Sequence, residues 1–166
     1  KIYFSLGSIT IEDKYKILDA LNDKESSLES DVKIMLKFFL KFGSQGFETL
    51  NNNFMLIVYD YENNELFGIR DHRGLSNFFY LISKRSNTII ISGDFNSLLS
   101  ERNEFVLDTK KLTNFLQLND SCLESTFFKE IRRLPPAYSL NFSDSGSMIT
   151  KYFSYRKNKT IDSDEG

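Results

Sequence analysis

The sequence predicts an α+β fold built on antiparallel sheets, and three observations carry that prediction. First, Phe54-Met55-Leu56-Ile57-Val58-Tyr59-Asp60 is an unbroken apolar, β-prone run. It is followed, across the polar turn Asp60-Tyr61-Glu62-Asn63-Asn64, by a second run from Leu66 to Arg70. Two such runs around a polar turn read as a hairpin whose first strand is buried on both faces. Second, further short strand-like segments recur down the chain, whereas helical periodicity is confined to a few places. That arrangement lacks the strict alternation of a parallel βαβ sheet. Third, 166 residues with 40% apolar content, including 16 Phe and 8 Tyr, suit one domain with a substantial aromatic core.

The elements follow in order. Residues 2–9 read as a strand, and Ile11 to Leu21 as a helix with Ile11, Tyr15, Leu18 and Leu21 on one face. Asn22 to Glu29 is a polar loop. Ser30 is the expected N-cap of a helix running to Phe42, with Val32, Met35, Leu36 and Phe39 at core spacing and Gly43 at its end. Strands are expected at 53–60, 65–71, 77–84 and 87–92, a short helix at Asn96 to Leu99, and a longer one at Thr109 to Leu118. Thr126 to Arg133 forms a short packed element before Leu134-Pro135-Pro136 forces the backbone extended. Tyr138 to Phe142 and Met148 to Phe153 make a last hairpin around Ser143-Asp144-Ser145-Gly146-Ser147.

Composition excludes several classes. A formal net charge of −2 carries no electrostatic footprint for nucleic acid. The most apolar helix is interrupted by Lys37 and Lys41, and no span reaches the roughly 20 apolar residues of a membrane helix. The lone Cys122 forbids an internal disulfide, fits a reducing compartment and, with no signal-peptide pattern, sets the expectation of a cytoplasmic protein. The chain opens on Lys1 inside a strand-like run and closes on a polar tail, so it is expected to be a piece of a longer polypeptide. Residues 1–153 are read as the domain, with its N-terminal part missing, and 154–166 as a linker.

The order of motifs resembles the N-terminal class II glutamine amidotransferase domain of asparagine synthetase-like proteins. Leu50-Asn51-Asn52-Asn53-Phe54 through Asp60 resembles that family's Leu-Asn-Gly-x-Phe strand. Arg70-Asp71-His72-Arg73-Gly74-Leu75-Ser76-Asn77-Phe78-Phe79-Tyr80 resembles its Arg-Asp-x-x-Gly-x-x-Pro-Leu-Tyr-Tyr block. Ser92-Gly93-Asp94-Phe95-Asn96-Ser97-Leu98 is similar to its Ala-Ser-Glu-x-Lys-Ala-Leu segment. Thr126 through Leu134-Pro135-Pro136-Ala137 is similar to its Thr-Leu-Phe-x-x-Ile-x-x-Leu-Pro-Pro-Gly. The likeness runs from about residue 5 to about residue 153. It implies an N-terminal-nucleophile (Ntn) sandwich, two antiparallel sheets between helical layers.

The resemblance also implies a chemistry. The family's glutaminase uses an N-terminal Cys whose thiolate attacks the glutamine amide, with its own α-amino group as base. An Asn side chain and the following Gly N–H stabilise the oxyanion, and a carboxylate holds the substrate's α-ammonium group. The family's Asn-Gly-Glu-Ile falls on Leu6-Gly7-Ser8-Ile9, and its Ser-Asp-x-Glu on Ser30-Asp31-Val32-Lys33. Gly7 and Asp31 are therefore the candidate substrate-binding residues, for glutamine, and no catalytic residue is assigned. Leu6 has no amide to offer, so glutaminase activity is expected to be weak or lost. An acid in a helix's first turn also has an ordinary use against the macrodipole, and Asp31 fits that as well.

ATP and Mg are expected only in a C-terminal synthetase domain of the same polypeptide, the implied partner. A Ser-Gly-Gly-x-Asp-Ser pyrophosphate loop does not occur here. Relatives in which this domain is a non-catalytic packing partner, as in β-lactam-synthetase-like or peptide-modifying amide-forming enzymes, supply the alternative. Arg70 and Asp71 read as an architectural ion pair. His72 lacks companions at ligand spacing, so no metal site is expected. Lys129, Arg132 and Arg133 form a small basic cluster that is solvated or faces a neighbouring domain, and Cys122 is a bland internal thiol.

Overall fold

A computed structural model of the chain describes residues 3–9, 11–51, 53–83, 85–101, 104–119 and 124–154. Cys122 and the expected linker beyond Ser154 lie outside them. Among the described residues, strands β1 (Tyr3–Ile9), β2 (Phe54–Asp60), β3 (Glu65–Arg70), β7 (Tyr138–Ser143) and β8 (Gly146–Lys151) form one antiparallel sheet in the order β1-β2-β3-β7-β8. Strands β4 (Phe79–Ser83), β5 (Thr88–Ser92) and β6 (Ile131–Arg133) form a second, in the order β5-β4-β6. Helices α1 (Ile11–Leu21) and α2 (Asp31–Phe42) cover the outer face of the first sheet, and α3 (Phe95–Leu99) the outer face of the second. Helix α4 (Thr109–Leu116) follows, started by the Asp108 carboxylate accepting from Lys111 N–H.

Side-chain alternation makes this stack a sandwich. Phe54, Leu56 and Val58 of β2 point to the helices, where they join Ile17, Leu18, Ile34, Met35 and Phe38. Met55 and Ile57, one residue out of phase, point the other way and meet Phe78, Tyr80, Leu134 and Leu140 between the sheets. The second sheet repeats the device: Tyr80 and Ile82 face inward, while Phe79 and Leu81 face out onto Leu98, Phe95 and Phe128. A two-residue period on strands buried on both sides requires this apolar continuity. Each fully buried Phe, Leu or Ile contributes about 1.5–3 kcal/mol. The Phe78 ring lies directly over Gly68 of β3: a Cβ there would stand 2.5 Å from Phe78 Cζ.

The turns obey local chemistry. Asn64 (φ 53°) and Asn87 (φ 46°) take the left-handed conformation that Asn tolerates at hairpin ends. The last hairpin is tighter than expected, since β7 runs to Ser143 and pairs with Gly146, leaving a two-residue turn. A 3-10 turn at Lys24–Leu28 occupies a stretch expected to be loop, and a second at Ser44–Thr49 follows α2.

The helix faces differ from expectation. Tyr15 is 66% exposed, whereas the expected Leu18 is buried, Leu21 packs beside it, and α1 also buries Ile17 and the carboxylate of Asp13. The Ile11 side chain lies outside the described residues. In α2 the buried set is Ile34, Met35 and Phe38, with Leu36 and Phe39 at its margin. The physical reason is that the apolar arc of α2, opposite the Lys33-Lys37-Lys41 stripe, is wide, so periodicity leaves its exact rotation open. The 3-10 turn after it decides the matter by seating Phe47 between Phe38 and Phe54, with centroids 5.4 and 5.3 Å apart.

Replacing Gly68 by Ala should displace the Phe78 ring and lower unfolding stability by about 1–3 kcal/mol. Urea denaturation followed by circular dichroism measures it, and an unchanged midpoint would contradict the close approach.

Candidate functional site

The Arg70-Asp71 corner is where β3 leaves the first sheet, and both side chains are buried there, 4% and 0% exposed. They do not form the mutual ion pair expected from sequence: no contact within 4 Å joins their charged atoms. Each is turned onto backbone instead. Arg70 donates from Nε to Ser76 O, from Nη1 to Leu134 O and from Nη2 to Gly74 O, each at 2.6 Å. Asp71 accepts from the N–H groups of Arg73 and Leu75 at 3.0 Å and of Ser76 at 2.9 Å. The loop 73–76 is thus gripped from both sides by opposite charges. Burial pulls the Arg70 guanidinium below its usual value, the Arg133 charge adds to this, and Asp71 opposes it.

Gly74 is the one residue type this loop admits. Its φ is +69°, and a Cβ would stand 2.6 Å from Pro136 Cγ and 3.1 Å from Arg70 Nη2. The corner continues through Ala137, whose N–H donates to Asp71 O and whose carbonyl accepts from Tyr152 N–H. Ala137 is held at φ 67°, in the left-handed region, at the position where the resembled motif has Gly. Tyr152 closes the ring by donating its hydroxyl to Arg70 O at 2.7 Å. His72 lies in this core, bonded to Leu50 O and stacked on Phe153 at 4.2 Å. Among the described residues, no group of three or more His, Cys, Asp or Glu could hold a metal ion.

Gly7 lies in β1, opposite Leu56, and β1 is the edge strand of its sheet. A Cβ at Gly7 would stand 2.5 Å from the Met55 carbonyl oxygen, so the strand pairing itself demands glycine here. Leu6 faces the inter-sheet side with its partner Ile57 and is 53% exposed. An apolar side chain open to solvent stands where the resemblance puts a polar donor. Ser8, next in phase, is exposed too.

Asp31 opens α2, a helix packed directly on β1. Its carboxylate is engaged by Lys14 of α1: Nζ lies 3.0 Å from Asp31 Oδ1 and also donates to Glu29 O at 3.3 Å. Sequence reasoning missed Lys14, because nothing local says that positions 14 and 31 meet. Ser30 sits at the N-cap without a side-chain cap; its carbonyl accepts from the N–H groups of Lys33 and Ile34. Lys33 pairs with Glu29 at 2.5 Å, and Lys37 bridges Glu29 (2.7 Å) and Asp23 (3.0 Å). Hydrogen bonds from Lys33 and then Lys37 hold the Glu29 carboxyl below the usual carboxylate range. The basic cluster dissolves into separate roles: Arg132 pairs with Glu124, Arg133 lies over the Phe79 ring, and Lys129 is exposed. A cleft of about 590 Å³ opens at the hairpin end of the first sheet, lined by Asp60, Glu65 and Phe67 among others, and neither Gly7 nor Asp31 lines it.

Two antiparallel sheets packed face to face between helices define the Ntn-type amidotransferase sandwich. Glutamine phosphoribosylpyrophosphate amidotransferase from Bacillus subtilis, solved with ADP and GMP, shares this fold with a TM-score of 0.56 over 92% of this chain and 29% of that one, at 10% identity. The chain matches the glutamine amidotransferase domain family over residues 13–153, and it belongs to that family. It is also 28% identical over 136 residues to asparagine synthetase (glutamine-hydrolyzing) 3 of Bacillus subtilis strain 168. That match covers 81% of this chain and 22% of the relative, so the chain spans about a fifth of the relative's length. No helix among the described residues is long and apolar enough to cross a membrane.

Removing the Asp71 carboxylate (Asp71→Ala) strands three N–H groups beside a buried guanidinium and should cost about 3 kcal/mol or more. Ala137→Gly should act in the other direction, gaining about 0.5–1 kcal/mol by relieving the left-handed backbone. Denaturant midpoints of the two variants should therefore move oppositely; shifts in the same direction would contradict this reading of the corner.

Proposed function

We propose that the chain is a divergent glutamine amidotransferase-like domain of an asparagine synthetase-type, ATP-dependent amide-forming enzyme, with glutaminase activity weak or lost. The amide-forming assignment is supported by the likeness to an asparagine synthetase and by the ordered motifs from Leu50 to Ala137. In this reading Gly7 N–H is the surviving oxyanion donor and Asp31 the carboxylate for the α-ammonium group of glutamine. The synthetase chemistry, with its ATP and Mg, belongs to a C-terminal domain of the same polypeptide, in a cytoplasmic enzyme.

The observation that carries the loss of activity is Leu6. A hydrocarbon in place of an amide removes one oxyanion donor, which costs roughly 3 kcal/mol of transition-state stabilisation, or about a hundredfold in rate. The same observation favours a second reading, in which the domain is a structural partner in a β-lactam-synthetase-like or peptide-modifying enzyme. Lys33 tied to Glu29 in place of the motif's acid supports that reading too.

Full-length protein supplied with ATP, Mg and aspartate separates these cases when glutamine and ammonium are compared as nitrogen donors. The proposal expects ammonium-supported asparagine formation with glutamate release near background. Amide formation on another acid, with neither nitrogen donor used, would favour the structural-partner reading. Fast glutamate release would refute the loss of glutaminase function.

A further inference from the structure

Among the described residues, four lysines and four carboxylates pair across α1, α2 and the turn between them. Asp13, Asp23, Glu29 and Asp31 provide four carboxylates, and Lys16, Lys37, Lys33 and Lys14 provide four ammonium groups within 3.2 Å of them. Lys14 stands apart from the other three lysines. Its Nζ bridges the Asp31 carboxylate and the Glu29 carbonyl, and its side chain is 20% exposed, against 45% for Asp31. A carboxylate and a backbone carbonyl converging on one nitrogen make the donor-acceptor match that an amino acid's α-ammonium group needs. The chain supplies that nitrogen itself.

We infer that Lys14 is a resident counter-ion that closes Asp31 to free α-amino acids, and so determines specificity at this position. The inference rests on the reading of Asp31 given under the proposed function. A ligand's ammonium group seeking the position shared by Asp31 Oδ1 and the Glu29 carbonyl must displace Lys14, leaving that charge without its two acceptors in a partly buried place. Ligands without an α-amino group meet no such barrier. Because Lys14 is tethered through α1, it competes at a high effective concentration.

The test measures binding rather than turnover. Full-length protein is titrated calorimetrically with L-glutamine and with glutaramic acid, which keeps the amide and the carboxylate but lacks the α-amino group. Lys14→Met removes the charge and keeps much of the length, and it should tighten L-glutamine by about five- to tenfold while leaving glutaramic acid unchanged. Lys14→Arg should behave as wild type, and adding Asp31→Asn to Lys14→Met should erase the gain. Circular dichroism confirms that each variant is folded. Equal L-glutamine affinity in wild type and Lys14→Met would overturn the inference, as would a gain that survives Asp31→Asn. If wild type releases glutamate quickly yet Lys14→Met still lowers KM, this inference stands while the loss of glutaminase function falls.

Discussion

The buried grip of Arg70 and Asp71 on the loop 73–76 is the constraint from which the rest of the structure follows. Taking two charges out of water costs several kcal/mol for each ion, and their attraction for one another alone would not reliably offset it. Six charge-assisted bonds to backbone, at about 1.5–3 kcal/mol each, do. The consequence is architectural. Arg70 leaves the first sheet and reaches Leu134, immediately after the second sheet's β6; Asp71 holds Ala137, immediately before β7. Tyr152, just beyond β8, locks onto Arg70. This corner ties the two sheets together beside the contact of Phe78 with Gly68.

Element positions were legible in the sequence because turn chemistry marks them. Asn64, Asn87 and Gly146 sit where a left-handed backbone is needed, and the strands between them alternate or run wholly apolar. Helix rotation was only half legible: the Lys33-Lys37-Lys41 stripe marks the solvent side of α2, but the apolar arc opposite it is wide, and tertiary contact with Phe47 chooses within it. The partners of the corner were not legible. Arg70 and Asp71 satisfy themselves on main-chain groups, one of them 64 residues away, and backbone acceptors carry no residue-type signature. The ion pair expected between the two neighbours was the simplest solution available from sequence, but the fold uses another.

The candidate site was half legible. Motif order singles out Gly7 and Asp31 as candidates, and the fold puts them on elements in direct contact. What could not be read was that each has an occupation of its own. Gly7 is required by the approach of the Met55 carbonyl whether or not any ligand binds, and the Asp31 carboxylate is held by Lys14. A residue kept by backbone sterics and another kept by an ion pair can persist after a binding function fades. Leu6, which neither constraint touches, is the residue on which the proposed loss of glutaminase function turns.

This domain retains the amidotransferase scaffold, and in the proposed reading the place for a ligand's ammonium group is filled by Lys14. A crystal structure of the full-length protein grown with excess L-glutamine tests it most directly. Lys14 Nζ should lie within hydrogen-bonding distance of Asp31 and of the Glu29 carbonyl, with no ligand nitrogen between them. A glutamine α-ammonium group seated on Asp31, with Lys14 swung into solvent, would contradict it.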